Sequence, residues 1–476
     1  MIKRFKYILF IGLSILIVPY LLLSLYTFPQ GDDFYLLSVG RSLGIFGIIK
    51  EMYLNWSGRY FAIFMGAINP GSYIYTLRIS IVIFQLFFIY SLFNLINSLI
   101  NKVSKLFLIN VSLIIYLVFI NILPFLFEFN YWYPSVVAYQ FGLSWLMLLW
   151  SFLLKKSNYN KLYYYSSITL ISVIIIGTNE LLIAPFFITI LLFFSNKENR
   201  KGVHFYLYSS IVAFAIITNI FARGNFIRYP NLNSSFNIIN ILINTVKTEL
   251  FIIISFIQNG AFLIFSIILL GTLGKSIISK GLIVVKAPKI HPLKYFIIAN
   301  ITFIIIISPS TIILGHVPAG RIINLYSFFF YTLWIIGIIN FVNYHDSLRN
   351  FGISKKQLFA LSMIGILFLF NGVFVTDRYE FYFGDKKKAV FIYGNSLKIN
   401  YTLLMEAKKF SNEIQERDSL FQNAYNNHKN TIKVPALKNH PKLLLYDKFY
   451  NNQIKGEWYR DEQTNYYYLD SIFIEP

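Results

Sequence analysis

The feature that most constrains this chain is the recurrence of apolar runs about 20 residues long. A helix of that length crosses a bilayer core of about 30 Å with its backbone polar groups bonded internally. Transmembrane strands would instead alternate polar and apolar side chains over about ten residues. The sequence therefore predicts an all-α polytopic membrane protein with about eleven spans: 7–26, 73–98, 106–125, 135–154, 161–177, 181–195, 203–221, 249–271, 294–313, 322–342 and 357–376.

The distribution of charge predicts the orientation of these spans. The net charge is +21, and 27 basic residues but only 8 acidic ones precede Asp377. Most of these basic residues fall in alternate short loops and at the N-terminus, which identifies that side as cytoplasmic. We therefore expect a multi-pass protein of the cytoplasmic membrane with an uncleaved first helix. The same distribution explains the basic excess by topology, so a nucleic acid is not an expected partner.

The composition changes at Asp377, where the apolar runs stop. We interpret residues 1–376 as the membrane domain and 377–476 as a small α+β domain, which an odd number of spans places outside the membrane. Its sequence predicts an amphipathic helix over 396–424 and short strands at 433–435, 443–446 and 466–474. The longest outer loop of the membrane domain, 27–72, is expected to form interfacial helices.

Two adjacent carboxylates, Asp32 and Asp33, follow the first span directly. An acidic residue next to hydrocarbon is costly and is by default a functional-site hypothesis. Such a carboxylate can act as a general base toward a hydroxyl group, or it can coordinate a divalent cation. The alternative is structural, because Gly-Asp-Asp before a helix also suits helix capping.

Other polar residues in the predicted outer loops extend this hypothesis. Arginines hold phosphate groups well, and a glycine allows backbone N–H groups to approach an anion. An asparagine–glutamate pair can bind a sugar hydroxyl or orient an arginine, although caps and lipid-headgroup contacts explain each of these residues equally. The candidate binding residues are Arg59, Asn179, Glu180, Arg223, Asn225, Arg228, His316 and Arg321.

Several absences from the sequence restrict the function. The chain contains no cysteine, so thiolate chemistry and disulfides are excluded. Neither a nucleotide-binding glycine motif nor a His-Glu-x-x-His zinc motif is present. No cofactor is required by the sequence, and metal dependence is left open, with Asp32 and Asp33 as the expected ligands if a divalent cation binds.

Several short motifs together resemble the GT-C superfamily of membrane glycosyltransferases. The chain is similar in particular to an uncharacterised bacterial family related to the GtrII-type glucosyltransferases. The motifs are Gly-Asp-Asp-Phe at 31–34, Trp-Ser-Gly-Arg at 56–59, Asn-Glu at 179–180, Gly-Asn-x-x-Arg at 224–228 and Gly-Arg at 320–321, with Glu457-Trp458 and Tyr466-Tyr467-Tyr468 near the C-terminus. Arg223 stands where that family usually has proline.

The resemblance implies a transferase that moves a sugar from a polyprenyl-phosphate donor to a cell-envelope glycan at the outer face. One of Asp32 and Asp33 would be the base that deprotonates the acceptor hydroxyl. The outer arginines would stabilise the lipid phosphate as it leaves. Two other functions stay open on the same residues: a polymerase of an O-antigen or capsule type of polysaccharide, and a non-enzymatic transporter of lipid-linked oligosaccharides.

Overall fold

The computed structural model describes residues 2–68, 74–100, 103–155, 160–200, 202–228, 238–272, 289–345, 348, 352–370, 394–441, 443–444 and 465–475. Within these ranges the chain is predominantly helical, as the apolar runs predict. Nine described helices are long and apolar enough to cross a membrane. They are Lys6–Tyr26, Ile74–Leu99, Lys105–Ile122, Tyr133–Leu154, Lys161–Thr178, Val203–Ile227, Ile238–Ile257, Pro292–Leu314 and Gly320–Tyr344.

In chain order the described helices are α1 (Ile2–Leu23), α2 (Asp32–Asn55), α3 (Tyr60–Ala67), α4 (Ile74–Leu99), α5 (Lys105–Ile122), α6 (Leu126–Asn130), α7 (Tyr133–Leu154), α8 (Lys161–Thr178), α9 (Glu180–Phe194), α10 (Val203–Ile220), α11 (Arg223–Arg228), α12 (Ile238–Ile257), α13 (Gly260–Thr272), α14 (Pro292–Leu314), α15 (Gly320–Tyr344), α16 (Lys355–Phe370), α17 (Asn395–Tyr401) and α18 (Ala407–Asn426). Helix α7 contains a π-helical stretch, Val136–Phe141.

The structure differs from the predicted spans at three places. The predicted span 249–271 is wrong as one helix, because α12 ends at Ile257 and α13 begins at Gly260. The side chain of Asn259 accepts a hydrogen bond from the N–H of Phe262 and so begins the second helix. The spans predicted over 181–195 and 357–376 correspond to the shorter apolar helices α9 and α16, and residues 371–376 lie outside the described ranges.

The predicted outer loop 27–72 contains two helices, as expected. Helix α2 is broken at Gly44, and its buried residues Leu36, Ile48 and Met52 pack with Ile63 of α3. The apolar pattern of this loop therefore reflects, at least in part, packing between its own helices. Its last residues, Asn69-Pro70-Gly71, lie outside the described ranges.

The described C-terminal residues form helices and one parallel strand pair. The helix predicted over 396–424 is present as α17 and α18, which a π-helical turn over Thr402–Glu406 connects. Strands β1 (Thr431–Pro435) and β2 (Ser471–Glu475) pair in register from Thr431 with Ser471. The strand predicted over 443–446 is wrong at 443–444, which form a turn, and 465–467 are helical.

This C-terminal segment shares the hydrophobic core of the membrane helices. Buried Ile399, Phe410 and Leu444 belong to the same apolar cluster as the helices α1, α5, α7 and α15. Polar contacts reinforce the junction, since the hydroxyl groups of Tyr20 and Ser396 are 2.9 Å apart. The segment therefore packs onto the end of the bundle at which Asp32 and Asp33 lie.

Candidate functional site

The acidic pair begins helix α2, and its two carboxylates have different surroundings. Gly31 has φ of 49°, a conformation that glycine adopts without strain and that reverses the chain before the helix. Asp33 is only 1% exposed, and its Oδ2 accepts a hydrogen bond from the N–H of Gln30 at 3.0 Å. Asp32 is half-buried instead. Asp33 is thus the buried carboxylate of the pair, bonded to the backbone before the helix, and Asp32 is the more accessible one.

Arg59 and Glu180 form an ion pair with two hydrogen bonds. The guanidinium Nε donates to Oε2 at 2.5 Å, and Nη2 donates to Oε1 at 2.6 Å. Both side chains are largely buried, so this pair is much better shielded from water than a surface salt bridge. The sequence named both residues as candidates, and the structure brings them together. Glu180 therefore orients Arg59 and offsets its charge.

The loop that carries Arg59 is fastened to the end of α10 by two asparagines. Asn225 accepts a hydrogen bond from the N–H of Gly58 at 3.0 Å. Asn219 donates to the carbonyl of Gly58 at 3.0 Å and to that of Ile176 at 2.8 Å. A Cβ on Gly58 would lie 1.9 Å from the carbonyl oxygen of Asn219, so only glycine fits here. Asn225 was predicted to bind substrate, and in the structure its side chain holds the Arg59 loop in place.

Gly224 has a similar function, because it lets two backbones approach. A Cβ at this position would lie 2.5 Å from the backbone N of Trp56. The sequence suggested that Gly224 opens a cationic turn to an anion, but the structure uses it for close packing. Arg223 is exposed on this turn, and the side chain of Arg228 lies outside the described residues.

Arg321 approaches the acidic pair from the start of α15. Its guanidinium lies over the ring of Trp132, 5.3 Å from the ring centroid. It is attracted electrostatically to Asp32 and Glu128 and repelled by Arg59. We call Asp32, Arg59, Glu128, Glu180 and Arg321 the acid–arginine cluster. Four of these five residues were candidates from the sequence.

Glu128 is the member that the sequence did not assign to the site. It is 7% exposed, and burial raises the pKa of its carboxyl, while the charge and the backbone N–H of Arg321 oppose this rise. Burial thus disfavours the charged form of Glu128, which is the form that offsets the positive charge of Arg321. The available signal was its position as one of six acidic residues in the predicted outer loops.

Buried amides hold the short helix α6, which carries Glu128. The side chain of Gln140 donates to Oδ1 of Asn130 at 2.8 Å, and Gln85 donates to the carbonyl of Asn130 at 3.1 Å. All three side chains are fully or almost fully buried. Gln85 and Gln140 each lie inside a predicted apolar span. Because a buried amide needs a hydrogen-bond partner, these two glutamines were the sequence signal for this network.

The side chains of the other two candidates contact nearby backbone. Asn179 is buried, and its Oδ1 accepts a hydrogen bond from the N–H of Leu181, which begins α9. Its Nδ2 has no hydrogen-bond partner within the described parts of the chain. His316 is exposed, and its Nδ1 is 2.8 Å from the carbonyl oxygen of Val317. Asn179 thus acts as the cap that the sequence allowed, and the Nδ1 of His316 contacts the backbone of its own turn.

A divalent cation would need more oxygen ligands than the acidic pair supplies. Among the described residues, no group of three or more His, Asp or Glu side chains is placed to hold a metal ion. Asp33 already accepts the N–H of Gln30, so Asp32 would be the main carboxylate ligand of a bound cation.

No protein-family model matches this chain. Neither the curated proteins nor the solved structures contain a match to it.

Proposed function

We propose that this protein is a glycosyltransferase that moves a sugar from a polyprenyl-phosphate donor to a cell-envelope glycan at the outer face of the cytoplasmic membrane. The observation that carries the proposal is the environment of Asp32, a half-buried carboxylate at the end of a membrane helix bundle whose charge interacts with that of Arg321. A base and a cation in one cluster match the two charges that develop during glycosyl transfer.

In the proposed reaction, the carboxylate of Asp32 accepts the proton of an acceptor hydroxyl group. The acceptor oxygen bonds to the anomeric carbon of the donor sugar, and the bond from that carbon to the phosphate oxygen breaks. The bonding electrons go to the leaving polyprenyl phosphate, whose negative charge Arg321 stabilises. Arg59 is the weaker phosphate ligand, because Glu180 already occupies the Nε–Nη2 edge of its guanidinium and offsets its charge.

A reconstitution experiment tests the proposal against its two rivals. The full chain is placed in liposomes with a labelled polyprenyl-phosphate sugar and an envelope glycan as acceptor. Release of polyprenyl phosphate together with addition of single sugars to the glycan is the expected result. Growth of long glycan chains would favour a polymerase, and movement of an intact lipid-linked sugar between leaflets would favour a transporter. Either outcome without single-sugar transfer overturns the proposal.

A further inference from the structure

Helix α2 is folded into two limbs that meet at Gly44. The φ of 68° and ψ of 176° at Gly44 lie outside the helical range, so the limbs 32–43 and 45–55 run in different directions. Leu36 of the first limb and Ile48 of the second bury together, and Ile48 Cδ1 lies 4.0 Å from the Cβ position of Gly40. The residues around this break, 43–46, therefore form an apex.

This apex presents apolar side chains away from the protein. Phe46 is 88% exposed, and Leu43 and Ile45 are also exposed. Three neighbouring large apolar side chains that are exposed indicate a contact with lipid or with another protein, because exposed apolar surface is unfavourable in water. The other limb residues that share their chemistry, such as Leu36 and Ile48, are buried inside the loop.

A collar of tyrosine rings and basic side chains lies beside the apex. The guanidinium of Arg41 is 4.3 Å from the ring centroid of Tyr466 and donates to the carbonyl of that residue at 3.0 Å. The rings of Tyr425 and Tyr468 lie within 6.0 Å of the same guanidinium, and both rings are exposed. Lys50 on the second limb is exposed as well. Tyrosine, arginine and lysine are the residues that concentrate at lipid headgroups.

We infer that the α2 apex inserts into the lipid leaflet next to this end of the bundle, with the Arg41–tyrosine collar at the headgroups. Only four residues separate Arg41 from Phe46, and the chain turns at Gly44 between them, so the collar and the tip of the apex belong to one short segment. Interfacial segments bury their apolar face by about 5–10 Å, so the tip would reach the acyl chains while the collar stays at the phosphates.

The size and charge of the apex favour lipid over a second copy of the chain. A stable protein interface buries about 800 Å² on each partner, which is more than three side chains supply. The basic groups of Arg41 and Lys50 complement lipid phosphates, but two copies of the same apex would repel each other. Because Asp32 begins the first limb, insertion would also fix the height of the acidic pair above the membrane. The inference does not depend on the proposed function.

The absence of cysteine allows a direct test with the full-length protein. Phe46→Cys is labelled with an environment-sensitive fluorophore in lipid nanodiscs, and Ile45→Cys serves as a second site. The expected result is blue-shifted emission that lipid-borne quenchers reduce and aqueous iodide does not. Lys408→Cys, at an exposed position of α18, is the control and should show the opposite pattern.

Iodide quenching at both apex sites equal to that at position 408 would overturn the inference. Shielding that disappears when the protein is diluted with excess lipid would overturn it too, because it would identify a second copy as the cover. Shielding that persists at high dilution, with quenching from the lipid side, supports it.

Discussion

At the scale of single residues, the two adjacent carboxylates at the start of α2 have different surroundings. Successive residues of a helix point about 100° apart, so Asp32 and Asp33 face different parts of the protein. Asp33 accepts the N–H of Gln30 and is buried, while Asp32 is half-buried and interacts electrostatically with Arg321. The sequence alone could not tell which of the two carboxylates is buried. Their directions depend on how the chain enters the helix at Gly31, where φ is 49°.

Glu128 gives a prediction about stability and pH. Burial raises the pKa of its carboxyl above the usual 4.5, so folding favours the protonated form. This contribution to stability is fully present below the unfolded pKa and is lost as pH rises through the folded pKa. We expect Glu128→Gln to raise the melting temperature at neutral pH, with the gain shrinking to zero as pH falls below 4.5. Thermal unfolding in detergent over a pH series measures this, and a Gln variant less stable than wild type at neutral pH would contradict it.

At the scale of elements, the Trp56–Arg59 loop illustrates what the sequence predicted and what it did not. Its motif was visible, as were the Asn225 motif and Glu180, but their connection depends on contacts between distant parts of the chain. Asn225 contacts Gly58, and Glu180 contacts Arg59. Periodicity predicts where helices form, and it contains no information about which loops meet.

Gly224→Ala tests the close approach of these two loops. The added Cβ would lie 2.5 Å from the backbone N of Trp56, and backbone cannot yield as a flexible side chain can. We expect a destabilisation of about 1–3 kcal/mol, the usual cost of overpacking. Gly12→Ala is the control, since nothing lies within 4 Å of its Cβ position and alanine favours a helix. Equal melting temperatures for the two variants would refute the packing role of Gly224.

At the scale of the whole molecule, the sequence predicted the helical membrane class well and the C-terminal segment less completely. The drop in apolar content at Asp377 suggested a separate domain. Composition indicates how much of a segment is exposed to solvent, but not whether the segment packs against the membrane helices. The structure shows Ile399 and Phe410 within the core of the membrane helices. The break between α12 and α13 was missed for a similar reason, since both halves are apolar.

A truncation tests how far the C-terminal segment supports the bundle. A chain ending at residue 370 would expose the core surface that Ile399, Phe410 and Leu444 cover. We expect it to aggregate or to lose monodispersity in size-exclusion chromatography. Phe410→Ala is the milder variant, and its ring, which lies 5.1 Å from that of Phe28, should contribute about 3–5 kcal/mol. A truncated protein with the melting temperature of the full chain would show an independent domain instead.

The most direct test of the proposed function compares three carboxylates of α2 in the reconstituted transfer reaction. Removing a general base typically slows a reaction about 10²–10⁴-fold, so Asp32→Asn should lose transfer by that factor at normal expression. Asp33→Asn keeps an oxygen that can accept the N–H of Gln30 and should retain most activity. Glu51→Gln, in the second limb, is the control and should behave as wild type. Full activity in Asp32→Asn would contradict the assignment of Asp32 as the base.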